Sequence, residues 1–233
     1  MAYTKRFDGR KFDELREIEA KIDIIKNADG SAMFKFGDTI AIAAVYGPKQ
    51  LHPQHMQNPK RGLLRCNYDM LSFSVTERKR PGLSRRSQEI SKVTEWALSS
   101  VVDLDNYPNA VIDVHIMVLQ ANASTRCAGI NAASLALANA GVSMKELVSA
   151  VSVGKIDDKI VTDLIKEEED YEDGEGATDI PLAFTKSGDI TLFQLDGGIR
   201  PEELKEAIKA GREACKKIYE VQKKALKIEE GKN

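Results

Sequence analysis

Residues 127–140 constrain the fold more than any other stretch. The run from Cys127 through Ala128, Gly129, Ile130, Asn131, Ala132, Ala133 and Ser134 to Leu135, Ala136, Leu137 and Ala138 is rich in alanine and leucine. It predicts a smooth, small-sided helix suited to close packing on a sheet, with Gly141 as its C-cap. Just before it, Ile112, Val114, Ile116 and Val118 alternate and predict a strand. His115 faces the other side of that strand; with no second histidine at metal spacing it reads as structural. A short loop, 120–125, joins strand to helix. A chain with this unit needs a sheet broad enough to receive the helix.

The rest of the sequence supplies strands. Ile18, Ala20, Ile22 and Ile24 alternate, residues 27–30 carry turn chemistry, and Ala32, Phe34 and Phe36 alternate again. A third strand over 39–45 makes an antiparallel meander, and Leu64, Cys66, Tyr68 and Met70 predict the next strand. The segment 47–62, with Pro48, Pro53 and Pro59, reads as a long exposed loop. Residues through Lys11 are polar and read as loose. Ile90, Val93, Ala97 and Val101 have helical spacing, so 86–102 is expected to be helical. Ser143-Met144-Lys145-Glu146 fits a capping box for a short helix. Strands follow at 148–156 and 160–164, then a hairpin of 180–185 with 190–195. Leu204, Ile208, Cys215, Ile218, Gln222 and Leu226 mark one long amphipathic helix opened by Pro201. The order predicts an α+β protein of two halves, divided as 1–147 and 148–233.

Composition narrows the class. The 233 residues are 42% hydrophobic and 30% charged, enough to bury a real core. No apolar run reaches membrane-spanning length, and the N-terminus has no apolar signal core, so a cytoplasmic protein is expected. Cys66, Cys127 and Cys215 are few and far apart, which excludes a disulfide framework or zinc site. The net charge of −2 hides an asymmetry: residues 49–92 hold ten Lys/Arg against three acids, whereas residues 157–179 hold eleven acids. The first stretch suits a polyanion and the second a cation, although each could be a solvated face.

Four groups could carry chemistry. Ser124, Thr125 and Arg126 sit where a strand gives way to a helix, and helix N-termini with hydroxyls and a guanidinium cradle anions. Arg85 and Arg86 open another helix, and their planar charged forks suit phosphate. Asp173 and Asp179 flank two glycines and could hold Mg²⁺ or donate a proton. Lys60 and Arg61, in the proline-rich loop, could touch an RNA backbone. Each group also has an ordinary reading as a cap, a surface charge or a turn.

Their order along the chain is more informative. Arg6-Phe7-Asp8-Gly9-Arg10-Lys11 resembles the start common in exosome ring subunits. Lys26 to Ala32, Ala44-Val45-Tyr46-Gly47-Pro48, Arg85 to Ser91, Ala128 to Ser134 and Val153-Gly154-Lys155 look like that family's later blocks. The chain is thus identified by resemblance, over residues 6–227, with the ribonuclease PH family, in its catalytic exosome form. The resemblance implies a ribonuclease PH-like fold: two βαβα-type halves with a ribosomal-protein-like N-terminal domain. It implies a phosphate-dependent 3′-to-5′ exoribonuclease that also runs backwards to add tails. It implies a six-membered ring of three catalytic and three non-catalytic paralogues, with RNA-binding cap subunits and RNA as substrate. By motif, Arg86, Ser124, Thr125 and Arg126 would bind inorganic phosphate, the co-substrate. Lys60, Arg61 and Arg85 would hold RNA, and Asp173 and Asp179 would hold Mg²⁺ and protonate the leaving group, with Asp179 as donor.

Three departures stand out. Asn122 replaces the family's usual Asp, and Ser124 its usual Gly. The acidic loop is about four residues longer, and Asp173 is preferred to Asp170 because it keeps a six-residue step to Asp179. The competing expectations are a stand-alone ribonuclease PH that trims tRNA ends, a non-catalytic RNA-binding ring subunit and a generic basic RNA-binding module.

Overall fold

The computed structural model describes residues 3–77 and 79–230; Arg78 of the basic stretch lies outside them. Two sheets enclose one helix. The first sheet comprises β1 (Ile18–Ile22), β2 (Gly30–Phe36), β3 (Thr39–Gln50), β4 (Leu63–Met70) and β5 (Ala110–Gln120), in the order β1-β2-β3-β5-β4. The second comprises β6 (Val148–Ile156), β7 (Lys159–Thr162), β8 (Ala177–Thr185) and β9 (Ile190–Phe193), in the order β7-β6-β8-β9 and antiparallel throughout. Helix α1 (Arg85–Ser99) packs on β4, α2 (Thr125–Asn139) lies between the sheets, α3 (Lys166–Glu169) is a single turn, and α4 (Pro201–Glu230) covers β6.

The alanine-rich helix behaves as its composition demands. Residues 127–137 of α2 are all buried, as expected of a helix with no wet face. Its polar members reach backbone. Asn131 exchanges two 2.8 Å hydrogen bonds with the N–H and C=O of Ala150, and Ser134 accepts from the Val148 N–H at 2.9 Å. Strand β7 pairs only with residues 153–156 of β6, so these side chains satisfy the strand edge that β7 leaves uncovered.

The first three strands form the expected antiparallel meander. Strand β4 pairs parallel to β5, from Leu63↔Val111 to Met70↔Val118, because α1 carries the chain back over the sheet between them. Three expectations need correction. Strand β3 continues through an irregularity between Tyr46 and Lys49 and takes the first residues of the expected proline-rich loop. Residues 143–146 form no helix: Met144 bridges to Val102, and the Glu146 carboxylate accepts from the Ser187 backbone N–H at 3.0 Å. The N-terminal segment is docked rather than loose. Tyr3 and Arg6 are buried, and the Thr162 N–H donates to the Phe12 carbonyl at 2.8 Å.

No helix among the described residues is long and apolar enough to cross a membrane.

Candidate active site

A cleft of about 470 Å³ opens where the two halves meet. One wall carries Arg86, from the first turn of α1, and Arg126, from the first turn of α2; the facing wall carries Asp179, from β8, with Glu169 and Asp170 at the end of α3. Local chemistry builds each part. Ser84 caps α1, accepting from the Ser87 N–H at 3.0 Å while Ser87 donates back to the Ser84 carbonyl, so the helix begins where Arg86 reaches the cleft. Helix α2 begins at Ser124, held in the left-handed region at φ 54°. The first N–H groups of such a helix have no intrahelical acceptor and favour an anion.

Arg126 is oriented by neighbours rather than loose. It donates to Gln194 beyond β9 and lies 3.4 Å from Glu89, and Gln194 donates in turn to Glu89 at 2.7 Å. Across the cleft Asp179 is half-buried and accepts from Ser152, and its backbone exchanges two 2.9 Å bonds with Asp196. Burial, reinforced by the Asp196 carboxylate, pushes the Asp179 carboxyl above its ordinary range against the pull of Ser152, Arg126 and Arg86. Burial and the nearby Asp179 push Glu169 up to about 7. Gly197 closes this wall at φ 119°, where an added Cβ would lie 2.8 Å from the Thr178 hydroxyl.

The expected site residues divide. Arg86, Arg126 and Asp179 converge on the cleft. Ser124 and Thr125 are buried beneath it. The Ser124 hydroxyl turns to Asp163 and to the Leu164 carbonyl, at 3.3 and 3.2 Å, so its Cβ does not crowd the helix mouth. Arg85 is exposed on the first turn of α1 and does not line the cleft. Lys60 and Arg61 are exposed elsewhere, and Arg61 borders a second hollow of about 450 Å³ with Lys145 and Asp103. Much of the basic stretch is spent internally: Lys49 and Arg65 pair with Asp113 at 2.7 and 2.6 Å, and Lys79 with Asp69 at 2.6 Å. Lys60, Arg61, Arg85 and Arg86 have no carboxylate partner among the described residues.

Asp173 does not line the cleft; Asp170 does. The reason is local. Residues 166–169 close into a helical turn, which leaves Asp170 at its C-cap. The following residues loop outward through Gly174 and Gly176, both at positive φ, with the Gly176 N–H donating to the Asp173 carbonyl at 3.0 Å. Glu175 ties this loop to Lys155 and Arg200, away from the cleft. A six-residue step back from Asp179 therefore lands outside the cleft. Sequence reasoning also passed over Glu169 and Gln194; no spacing marks the latter.

No cluster of three or more His, Cys, Asp or Glu among the described residues could cage a metal. Two carboxylates in a polar cleft do fit Mg²⁺, which commonly takes one or two carboxylates and completes its shell with substrate phosphate and water.

Fold and cleft together define a class: a two-sheet α+β protein with arginines at two helix N-termini facing partly buried carboxylates, an arrangement suited to a phosphate ester. Residues 14–143 match the 3′ exoribonuclease family, domain 1, and residues 146–214 match its domain 2. The chain belongs to that family. An exosome complex component Rrp41 of Methanopyrus kandleri is 49% identical over 227 residues, 97% of this chain and 93% of the relative. Its namesake in Pyrococcus furiosus is 51% identical over 224 residues, 96% and 88%. The crystal structure of rice Rrp46 superposes with a TM-score of 0.83 at 26% identity, over 95% of this chain and 100% of that one. A chain of the Archaeoglobus fulgidus exosome with RNA bound to the active site shares the fold, with a TM-score of 0.80 at 24% identity, over 93% and 92%.

Proposed function

We propose that this chain is the catalytic component of an exosome: a 3′-to-5′ exoribonuclease that uses inorganic phosphate to release nucleoside diphosphates. The observation that carries this reading is the convergence of Arg86 and Arg126 opposite Asp179 and Asp170 in one cleft. The near-full-length likeness to Rrp41 components supports it.

The chemistry sets the requirements. An oxygen of phosphate attacks the terminal internucleotide phosphorus. The bond from that phosphorus to the 3′-oxygen of the preceding nucleotide breaks, and the 3′-oxygen takes a proton. Two anions must meet, so charge must be cancelled first. Arg86 and Arg126 would do this for the attacking phosphate, with the positive end of the α2 dipole behind Arg126. Asp179 would give the departing 3′-oxygen its proton, a role that burial favours by raising its pKa. Asp170, with Asp179 in its ionised form, would hold Mg²⁺, which when bound would supply further positive charge to the substrate phosphate. Alignment and electrostatics supply the catalysis, because phosphoryl transfer leaves little covalent work to the protein. One phosphate linkage replaces another of similar energy, so excess nucleoside diphosphate drives RNA tailing.

Lys60, Arg61 and Arg85, solvated and without carboxylate partners, are suited to RNA phosphates along the approach. The same reading places the chain in a cytoplasmic six-membered ring, three copies alternating with three of a non-catalytic paralogue, under RNA-binding caps. The test is RNA breakdown at varied phosphate, with the paralogue present and absent. Nucleoside diphosphates should appear in proportion to phosphate and chiefly with the paralogue. Nucleoside monophosphates, or no product in either case, would refute the reading.

A further inference from the structure

The N-terminal block Arg6-Phe7-Asp8-Gly9-Arg10 does not line the cleft, yet each of its polar members has a task. Gly9 turns the chain at φ 81°, and its N–H donates to the Arg6 carbonyl at 3.1 Å. The Asp8 carboxylate accepts from Arg10 Nε at 2.5 Å and from the Arg10 N–H at 3.1 Å. Arg10, so aimed, donates to the carbonyl and the carboxylate of Asp163, at 3.0 and 3.3 Å. Arg16 meets the same carboxylate at 2.9 and 2.6 Å.

Arg6 goes deepest. Its side chain and that of Glu168 are both fully buried. Its fork donates twice to Glu168, each at 2.8 Å, and its remaining N–H groups reach the carbonyls of Thr162 and Asp163, each also at 2.8 Å. Glu168 further accepts from the Tyr3 hydroxyl at 2.7 Å and from the Ile165 N–H at 3.1 Å. Every oxygen of this buried carboxylate is used.

Glu168 is the third residue of α3, and the next two residues, Glu169 and Asp170, line the cleft. A helix of one turn has no stability of its own, since nucleation costs more than one hydrogen bond returns. Its place is therefore set by what grips it. On one side that is Arg6. On the other, Asn122 Oδ1 accepts from the Lys166 N–H at 2.9 Å, and Ser124 donates to the Leu164 carbonyl. A buried ion pair gives little net stability compared with apolar packing, but a bidentate pair fixes both distance and direction.

We propose that Glu168, locked by Arg6, is a positioning residue for phosphorolysis: it holds α3 so that Asp170 joins Asp179 on the wall that faces Arg86 and Arg126. This rests on the phosphorolytic reading above. The N-terminal segment thereby reaches the chemistry through one helical turn, without touching substrate.

The test uses the chain assembled with its paralogue, and two variants. Arg6→Lys keeps a buried charge but loses the fork. Tyr3→Phe removes one bond to Glu168 and keeps the ring packed against Phe12 and Tyr171. Two quantities are read: kcat and KM for RNA per assembled complex, and hydrogen exchange of residues 164–171. Arg6→Lys should lower kcat by roughly ten- to a hundredfold, the scale of an ångström's misplacement, with KM for RNA little changed. Exchange should rise in 164–171 and not in β8. Tyr3→Phe should move both readouts the same way by less, and it decides alone if Arg6→Lys does not assemble. Unchanged kcat in an assembled Arg6→Lys complex, or a rise in KM alone, overturns the proposal; so does unchanged kcat in Tyr3→Phe if only that variant assembles. A wild-type complex that makes no nucleoside diphosphate refutes the phosphorolytic reading itself, before any variant is compared.

Discussion

Consider Asn131→Ala, a substitution between the two sheets. Asn131 is fully buried in α2, and its amide mimics a strand neighbour for Ala150 of β6, giving and taking one 2.8 Å bond. Alanine leaves both backbone groups of Ala150 without partners. A buried polar group stranded in this way costs about 1–3 kcal/mol, so the pair costs about 2–6 kcal/mol. Gln222 also loses its 3.3 Å bond to Asn131 but keeps Val148 as an acceptor at 3.0 Å, and adds little. Against a total stability of about 5–15 kcal/mol this is a large fraction. The melting temperature of a chain this size should fall by roughly 10 °C. Urea unfolding followed by circular dichroism measures the loss directly. Asn131→Asp provides the control. Its ionised form cannot donate to the Ala150 carbonyl, whereas its protonated form can, so its deficit should grow as pH rises. An Asn131→Ala protein within about 1 kcal/mol of wild type would refute the claim that this amide joins the halves. The junction matters for function because α2 presents Arg126 while β6 and β8 carry Ser152 and Asp179.

Asp170→Asn should lower kcat by about a hundredfold or more, as loss of a charged catalytic group does, whereas Asp173→Asn should stay near wild type; steady-state phosphorolysis separates them, and the reverse order would return the site to Asp173. Asp179→Asn should abolish turnover while sparing RNA binding, and full activity would remove Asp179 from the mechanism. Glu169 titrates near 7 through burial first and Asp179 second. The native state therefore holds a proton that the unfolded chain has released, and stability should decline as pH rises from the ordinary carboxylate range through about 7. Glu169→Gln should remove that decline, so its advantage over wild type in urea midpoint should widen with pH; a narrowing gap would contradict the assignment. Arg61→Ala should weaken binding of unrelated RNAs alike and reduce the salt slope by up to about 0.7, the share of one single-strand phosphate. An unchanged slope would mean Arg61 contacts no phosphate.

Periodicity made much of this fold legible. Ala32, Phe34 and Phe36 alternate in sequence and are wholly buried in β2, and the alanine-rich run is the inner helix. Pairing was legible only between strands joined by a short turn, as in β1-β2-β3 and β8-β9; alternation says which face of a strand is buried but not which distant strand lies beside it, and the parallel neighbours β4 and β5 carry no mark of each other. Arg6 misled for a related reason. An arginine near a terminus reads as solvated, and its partner Glu168 lies 162 residues away. At the cleft, Arg86, Arg126 and Asp179 could be picked out by residue type and place along the chain. Asp170 could not, since the choice turned on where the extra residues of the loop lie. That depends on residues 166–169 closing a turn and on Glu175 finding Lys155 and Arg200.

The most direct measurement follows the oxygen atoms. The assembled complex is given RNA and inorganic phosphate enriched in heavy oxygen, and the released nucleotides are weighed by mass spectrometry. If the arginines at the two helix N-termini present phosphate as the nucleophile, the label appears in the terminal phosphate of nucleoside diphosphates. Unlabelled nucleoside monophosphates would mean that water attacks instead, and would contradict the account.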